Sequence, residues 1–511
     1  MRFKKLVLIR RFSQIIFLLG FIYILWATTY PLTSSLPSDL FFKTNPLLMI
    51  IATLSERIIL KGIIYSLILL LLSMLIGRYF CGWICPLGSC MDFANFLNKK
   101  KFIAPDKTNI QARKLKYLIF LIIFGFALFK IQVSWLFDPI VIFGRFVSLN
   151  LIPAITLIID QSFISLLKAS NLSPQLFDVY RDLQQSILGV KISFFPNSWV
   201  AFLDIMLIIL TSFYVSRLWC RTICPLGGLY ALAAKCSPLQ RVVTKCIACG
   251  KCNTHCRMGA IKKDFSYLKS ECILCMDCIY DCPTQETFFR FKSLRFKHPI
   301  KKSEEKNGLS RREFLIIALT SSLSLLAIKK SFSQDSLAIR HPYIIRPPAA
   351  LKEDEFLNRC IRCGNCMKVC PTNGLQPVIV ASGARGVWSP QLIADIGYCE
   401  YNCTLCSQVC PTGAIKKLPL EKKQKTKLGI AKINRKICLP WAKNKECIVC
   451  EEHCPIPDKA IKIKEEIVDG KLLLRPEIDE KLCIGCGICQ TKCPIRPIRA
   501  IKMVPEKSDR M

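Results

Sequence analysis

The residues in this chain most able to do chemistry are its cysteines, 30 among 511 residues. A thiolate can bind a soft metal, hold an iron–sulfur cluster, close a disulfide or act as a nucleophile, and spacing separates these uses. Twenty-four of the 30 fall into six groups of four. Two groups lie together: Cys246, Cys249, Cys252 and Cys256, then Cys272, Cys275, Cys278 and Cys282. Four follow towards the C-terminus: Cys360, Cys363, Cys366 and Cys370; Cys399, Cys403, Cys406 and Cys410; Cys438, Cys447, Cys450 and Cys454; Cys483, Cys486, Cys489 and Cys493. All but the first group end in Cys-Pro, and Arg257 stands in that place in the first.

Three thiols in a short loop can curl around a cuboidal [4Fe-4S] core, while the fourth, further along, reaches a neighbouring core. This reading gives Cys246, Cys249, Cys252 and Cys282 to one cluster and Cys272, Cys275, Cys278 and Cys256 to another. In the C-terminal groups, spacing leaves the exchange of fourth ligands open. One of them carries a widened first gap containing Leu439-Pro440-Trp441. Six [4Fe-4S] clusters are expected. Zinc sites draw two cysteines from each of two separated knuckles, and disulfide frameworks belong to short secreted domains, so neither accounts for this tandem pattern.

The other six cysteines accompany an internal repeat. Arg78-Tyr79-Phe80-Cys81-Gly82-Trp83-Ile84-Cys85-Pro86-Leu87-Gly88 matches Arg217-Leu218-Trp219-Cys220-Arg221-Thr222-Ile223-Cys224-Pro225-Leu226-Gly227. Repeats of this kind place like elements around a common axis, so Cys81, Cys85, Cys220 and Cys224 can converge. A seventh metal or cluster, a redox-active thiol group and small apolar packing at a tight turn all remain open. Cys90 and Cys236 receive no role.

These groups must be positioned by two kinds of element. Four apolar runs, Phe12–Tyr30, Ile58–Gly77, Leu115–Trp135 and Trp199–Leu218, are each long enough to cross a hydrocarbon core of about 30 Å. Basic residues gather at Arg2, Lys4, Lys5, Arg10 and Arg11, and again from Lys99 to Lys116. The positive-inside rule then places the N-terminus in the cytoplasm of a bacterium whose inner membrane holds the chain. Ser310-Arg311-Arg312-Glu313-Phe314-Leu315 and the apolar run to Ile328 read as a twin-arginine-like signal, either cleaved or kept as a fifth span, with a linker helix as the plain alternative. The expected fold is multidomain: a transmembrane region of four or five helices at 1–236, a cytoplasmic α+β ferredoxin-like domain with two clusters at 237–300, a linker at 301–345 and a periplasmic ferredoxin-like domain with four clusters at 346–511.

Composition excludes other classes. The formal charge of +36 would fit nucleic acid, but each thiolate-bound cluster brings about −2, and much Lys and Arg flanks apolar runs. No nucleic-acid partner is expected. The four histidines, His255, His298, His341 and His453, all lie outside the apolar runs, which argues against membrane haem. There is no G-x-G-x-x-G fingerprint, which argues against NAD.

With those residues in place, 1–300 resembles the NapH-type membrane ferredoxins and 310–511 resembles the NapG/MauM-type exported ferredoxins, as if two subunits were fused. The resemblance implies oxidation of quinol from the membrane pool and delivery of electrons to a periplasmic reductase or cytochrome. Quinol oxidation needs a proton acceptor, and Glu56, Asp138, Asp160 and Asp204 lie in or beside apolar runs. Asp204, inside the fourth run, is the preferred candidate, against the reading of each as a helix cap or interfacial residue. Two alternatives stand beside this: a non-catalytic electron-transfer subunit of another quinone enzyme, and a redox assembly factor for a metalloenzyme. One difficulty attaches to the first reading, because cytoplasmic and periplasmic clusters cannot exchange electrons directly across about 30 Å.

Overall fold

The structure is a computed structural model describing residues 2–30, 37–97, 110–169, 173–184, 193–262, 264–291, 344–379, 383–468 and 471–505. The twin-arginine-like segment at 310–328 lies outside the described residues. The chain forms two compact units, one of residues 1–24, 39–146 and 200–333, the other of 25–38, 147–199 and 334–511.

The first unit is built on apolar helices that turn their oily side outwards. On the helix Arg2–Trp26, Phe12, Leu19 and Tyr23 are 64 %, 59 % and 62 % exposed, while Arg10 is fully buried. The helix Ile63–Ile76 exposes Ile64, Ile68 and Leu71 and buries Ser66 and Ser73, whose hydroxyls bond back to their own helix. Trp199–Tyr214 likewise exposes Leu203 and Leu207 and buries Ser212. Soluble domains show the opposite arrangement.

By length and composition, two described helices can cross a membrane: Lys5–Trp26 and Pro139–Lys168. The first lies in the first expected run. The second is a stretch that reading by uninterrupted apolar runs passes over, because Arg145, Asn150 and Asp160 break it up. The other three expected runs fall on Ile63–Ile76, Ile110–Leu128 and Trp199–Tyr214. Fourteen helical residues in Ile63–Ile76 rise only about 21 Å, which is short of the hydrocarbon thickness. The four-helix expectation is therefore met only in part.

The cysteine groups ride on small antiparallel ribbons, the α+β element of the expectation. In the first unit β1 (Leu239–Val243) pairs with β2 (Thr287–Phe291), register Leu239↔Phe291, enclosing two groups between them. In the second unit β3 (Leu375–Pro377) pairs with β4 (Pro390–Leu392). There too β5 (Ile430–Ile433) pairs with β8 (Ile501–Val504), enclosing the last two groups, and the hairpin β6 (Ile461–Val468) and β7 (Lys471–Ile478) rises between them. Closing strand on strand in this way brings the fourth cysteine of one group back beside the first three of another.

Candidate iron–sulfur sites

In the second unit the fourth ligands are exchanged in pairs. Burial pushes the Cys366 thiol up, and the thiols that act on it most strongly are Cys363, Cys360 and Cys410. Cys360, Cys363, Cys366 and Cys410 line one cavity. Cys370, Cys399, Cys403 and Cys406 line a second, and Cys438, Cys447, Cys450 and Cys493 a third. Burial pushes the Cys486 thiol up to about 12, and Cys399, Cys483 and Cys454 are the thiols that act on it; Cys483, Cys486, Cys489 and Cys454 are the four left for a fourth set. Among the described residues no group of His, Cys, Asp or Glu closes tightly enough for a single metal ion. The thiols surround voids instead, the first about 380 Å³ including its open mouth. Thiols grouped round a void suit a multi-iron core, whose irons would also strip the thiol protons that burial retains.

The sets adjoin in an order that differs from the sequence. Cys366 of the first feels Cys406 of the second. Cys399 of the second donates its backbone N–H to the carbonyl of Cys486, 2.8 Å away. Cys489, in the set with Cys483, feels Cys450 of the set with Cys438. The series therefore runs from Cys360 through Cys399 and Cys483 to Cys438. At its first end Asn365 reaches the Ser38 carbonyl, and the buried Lys368 ammonium donates to the carbonyls of Leu25, Trp26 and Thr28 at 2.6–2.8 Å. At its other end Trp441 lies between Arg435 and Arg475, ring centroids 4.0 and 4.8 Å from the guanidiniums. Lys423, also buried, sits beside Cys399 and donates to the carbonyls of Glu400 and Tyr401.

In the first unit Cys256 lies beside the thiols of the group that follows it. Burial pushes the Cys272 thiol up to about 11, and Cys256 is the thiol that acts on it. Cys256 likewise acts on Cys275 and Cys278. Backbone N–H groups of Ala260 and Leu274 point at the sulfurs of Cys256 and Cys272. Cys246 and Cys249 are exposed and act on Cys252. Thr284 links Cys282 to that set, donating to the Lys245 carbonyl while contacting the Cys282 sulfur. Arg241 on β1 stands between the two sets, beside both Cys252 and Cys278.

A buried ionic network holds the Cys272 set in place. Asp92, on the helix Pro86–Leu97, accepts two hydrogen bonds of 2.8 Å from Arg217 and one of 2.8 Å from Gln14, with Arg10 and Arg257 at 3.4 and 3.2 Å. Arg257 also binds Asp277, which lies between Cys275 and Cys278. The departure from Cys-Pro at that position is thus an anchor. Burial would raise the Asp92 pKa, but Arg217, Arg257 and Arg10 outweigh it and hold the carboxyl far below its usual range. Glu271 plays the same part for Lys116, at 2.6 Å, and Arg78, at 3.2 Å.

The repeat cysteines Cys81, Cys85, Cys220 and Cys224 are all buried and act on one another. Burial pushes Cys224 well up, with Cys220, Cys81 and Cys85 as neighbours, and Cys85 in turn feels Cys220 and Cys81. The sequence signals this convergence. It also held, unassigned, the two arginines that start each repeat copy.

The candidate proton acceptors separate. Asp138 is fully buried and caps the helix Pro139–Phe146 through Ile140 and Val141, while the Asn45 side chain donates to its other oxygen at 2.7 Å. Asp160 accepts from the Tyr180 hydroxyl, and Glu56 closes the helix Pro46–Glu56. Asp204 is 44 % exposed and pairs loosely with the buried Arg145 at 3.7 Å. Asp204 is a half-open carboxylate on the outward-facing apolar helix Trp199–Tyr214.

Family models support several 4Fe-4S clusters. A 4Fe-4S binding domain matches residues 59–104 and 198–243, the two copies of the repeat. A 4Fe-4S dicluster domain matches 359–440, and a further 4Fe-4S binding domain matches 476–499. The methylamine utilization ferredoxin-type protein MauM of Methylorubrum extorquens is 31% identical over 39% of this chain and 90% of its own length. The ferredoxin-type protein NapG of Escherichia coli is 30% identical over 40% of this chain and 88% of its own length. No solved structure matches.

Proposed function

Because this chain belongs to the MauM and NapG family of ferredoxin-type proteins, joined to a polyferredoxin-like region, and is an iron–sulfur electron-transfer protein, we propose that it takes electrons from membrane quinol and passes them singly through six [4Fe-4S] clusters to a periplasmic reductase or cytochrome. The observation that carries this reading is the gathering of thiols, three from one group and one from another, around adjoining voids. When bound, the clusters supply one-electron redox chemistry. The chain supplies their order, their burial and the cations beside them.

In the four-cluster series, electrons enter at the Cys360 set and leave from the Cys438 set, beside Trp441. The outward apolar faces of Arg2–Trp26, Ile63–Ile76 and Trp199–Tyr214 support a bacterial inner-membrane location, and the N-terminal basic residues support a cytoplasmic N-terminus. Asp204 is the candidate acceptor for a quinol proton, standing beside Arg145 at an apolar surface.

The test uses the full chain in lipid nanodiscs without partners. A quinol analogue should bleach the cluster absorbance, and Asp204→Asn should slow that bleaching while dithionite still reduces every cluster. Bleaching by dithionite alone, with quinol inert, would instead favour a non-catalytic electron-transfer subunit.

A further inference from the structure

The two repeat copies face each other, and the four cysteines of their turns are buried. A side chain at Gly88 would meet the Arg217 guanidinium at 3.3 Å and the Cys81 carbonyl at 3.0 Å. At the matching Gly227 it would meet the Arg78 guanidinium at 2.9 Å and the Cys220 carbonyl at 3.4 Å. Each copy's arginine thus crosses to the other copy's Cys-Pro-Leu-Gly turn. Arg217 fixes the first turn outright, donating to the carbonyls of Cys81 and Gly88 at 2.7 and 3.2 Å. Arg78 is fully buried and acts electrostatically on Cys81 and Cys220, yet among the described residues its Nε and Nη2 have no hydrogen-bond partner.

Cys85 and Cys224 each immediately precede a twelve-residue helix, Pro86–Leu97 and Pro225–Cys236, whose N-terminal end favours a thiolate. The Gly227 N–H already points at the Cys224 sulfur, 3.2 Å away. Around these cysteines and the Cys272 set, the buried Arg10, Arg78, Lys116 and Arg217 and the part-buried Arg257 pair, among the described residues, with Asp92, Glu271 and Asp277. Positive charge is in excess beside the four buried cysteines.

We infer that Cys81, Cys85, Cys220 and Cys224 together ligate a seventh iron–sulfur cluster, two thiolates from each copy, with Arg78 and Arg217 neutralising it. Its redox neighbour is the Cys272 set. Gly82 lies against the Ile273 carbonyl, where a Cβ would come within 2.1 Å, and the Trp83 indole donates to the Leu274 carbonyl at 3.0 Å. Ile273 and Leu274 lie between Cys272 and Cys275. One electron crosses this contact at a time, the donor cluster oxidised by one and the acceptor reduced by one, with no bond or proton changed. The exchange, though not the site, rests on the electron-transfer reading above.

The experiment is metal and acid-labile sulfide analysis, with EPR, on full-length chain purified anaerobically. Wild type should hold iron and sulfide beyond six cubane clusters. The double variant Cys85→Ser, Cys224→Ser should lose one cluster's worth of both, while Cys90→Ser, Cys236→Ser loses none. Iron and sulfide that stop at six clusters in wild type, stoichiometric zinc or copper, or unchanged iron in the first double variant each overturn the inference. If that variant fails to fold, all its signals fall together, and the wild-type content decides alone. Quinol is absent from every readout, so failure of quinol oxidation leaves this test intact.

Discussion

The two sets enclosed by β1 and β2 are near copies in sequence and opposites in setting. Cys246 and Cys249 stand in solvent, while Cys275 is buried and the Cys272 set is gripped by Arg257, Asp277 and Asp92. The same three-plus-one loop thus serves at a surface, where a cluster can meet a partner, and in an interior, where it can meet only another fixed centre. Burial and buried charge, more than ligand type, then set what each cluster does.

The largest test of this contrast is Cys256→Ala. Although Cys256 closes the first group in sequence, its loss should abolish the buried cluster and spare the exposed one, read as the disappearance of one EPR signal. Next is Asp92→Ala, which strands Arg10, Arg217 and Arg257 without their common anion. Uncompensated buried charge costs about 3–5 kcal/mol, and urea denaturation should show it together with loss of the buried cluster. Gly82→Ala forces a methyl against the Ile273 carbonyl and should cost about 1–3 kcal/mol, again on the buried side only. The smallest effect extends the comparison to the second unit. Lys423→Gln removes a cation beside Cys399 and should lower the potential of that cluster by on the order of 100 mV, measured by redox titration, with the Cys438 set unchanged.

Much of this was legible in the sequence because cluster loops are local. Three cysteines within seven residues declare themselves wherever they fold, and the repeat raised the expectation that Cys81, Cys85, Cys220 and Cys224 can converge. The exchange of Cys370 with Cys410, and of Cys454 with Cys493, was not legible, since it depends on which strands close the domain. The order of the four sets was hidden for the same reason. Asp92 gave no sign, because a lone carboxylate on an amphipathic helix usually faces solvent, and only the fold brings three arginines to it. Pro139–Lys168 escaped because it carries Arg145, which is buried against protein, something a reading by apolar runs cannot know.

The central claim is that these thiols hold reducible iron–sulfur clusters that pass electrons. EPR-monitored redox titration of the anaerobic full-length chain tests it most directly. The account predicts several reduced-cluster signals, each titrating as a one-electron centre and broadened by its neighbours. A chain that carries stoichiometric zinc and stays EPR-silent at every potential would contradict it.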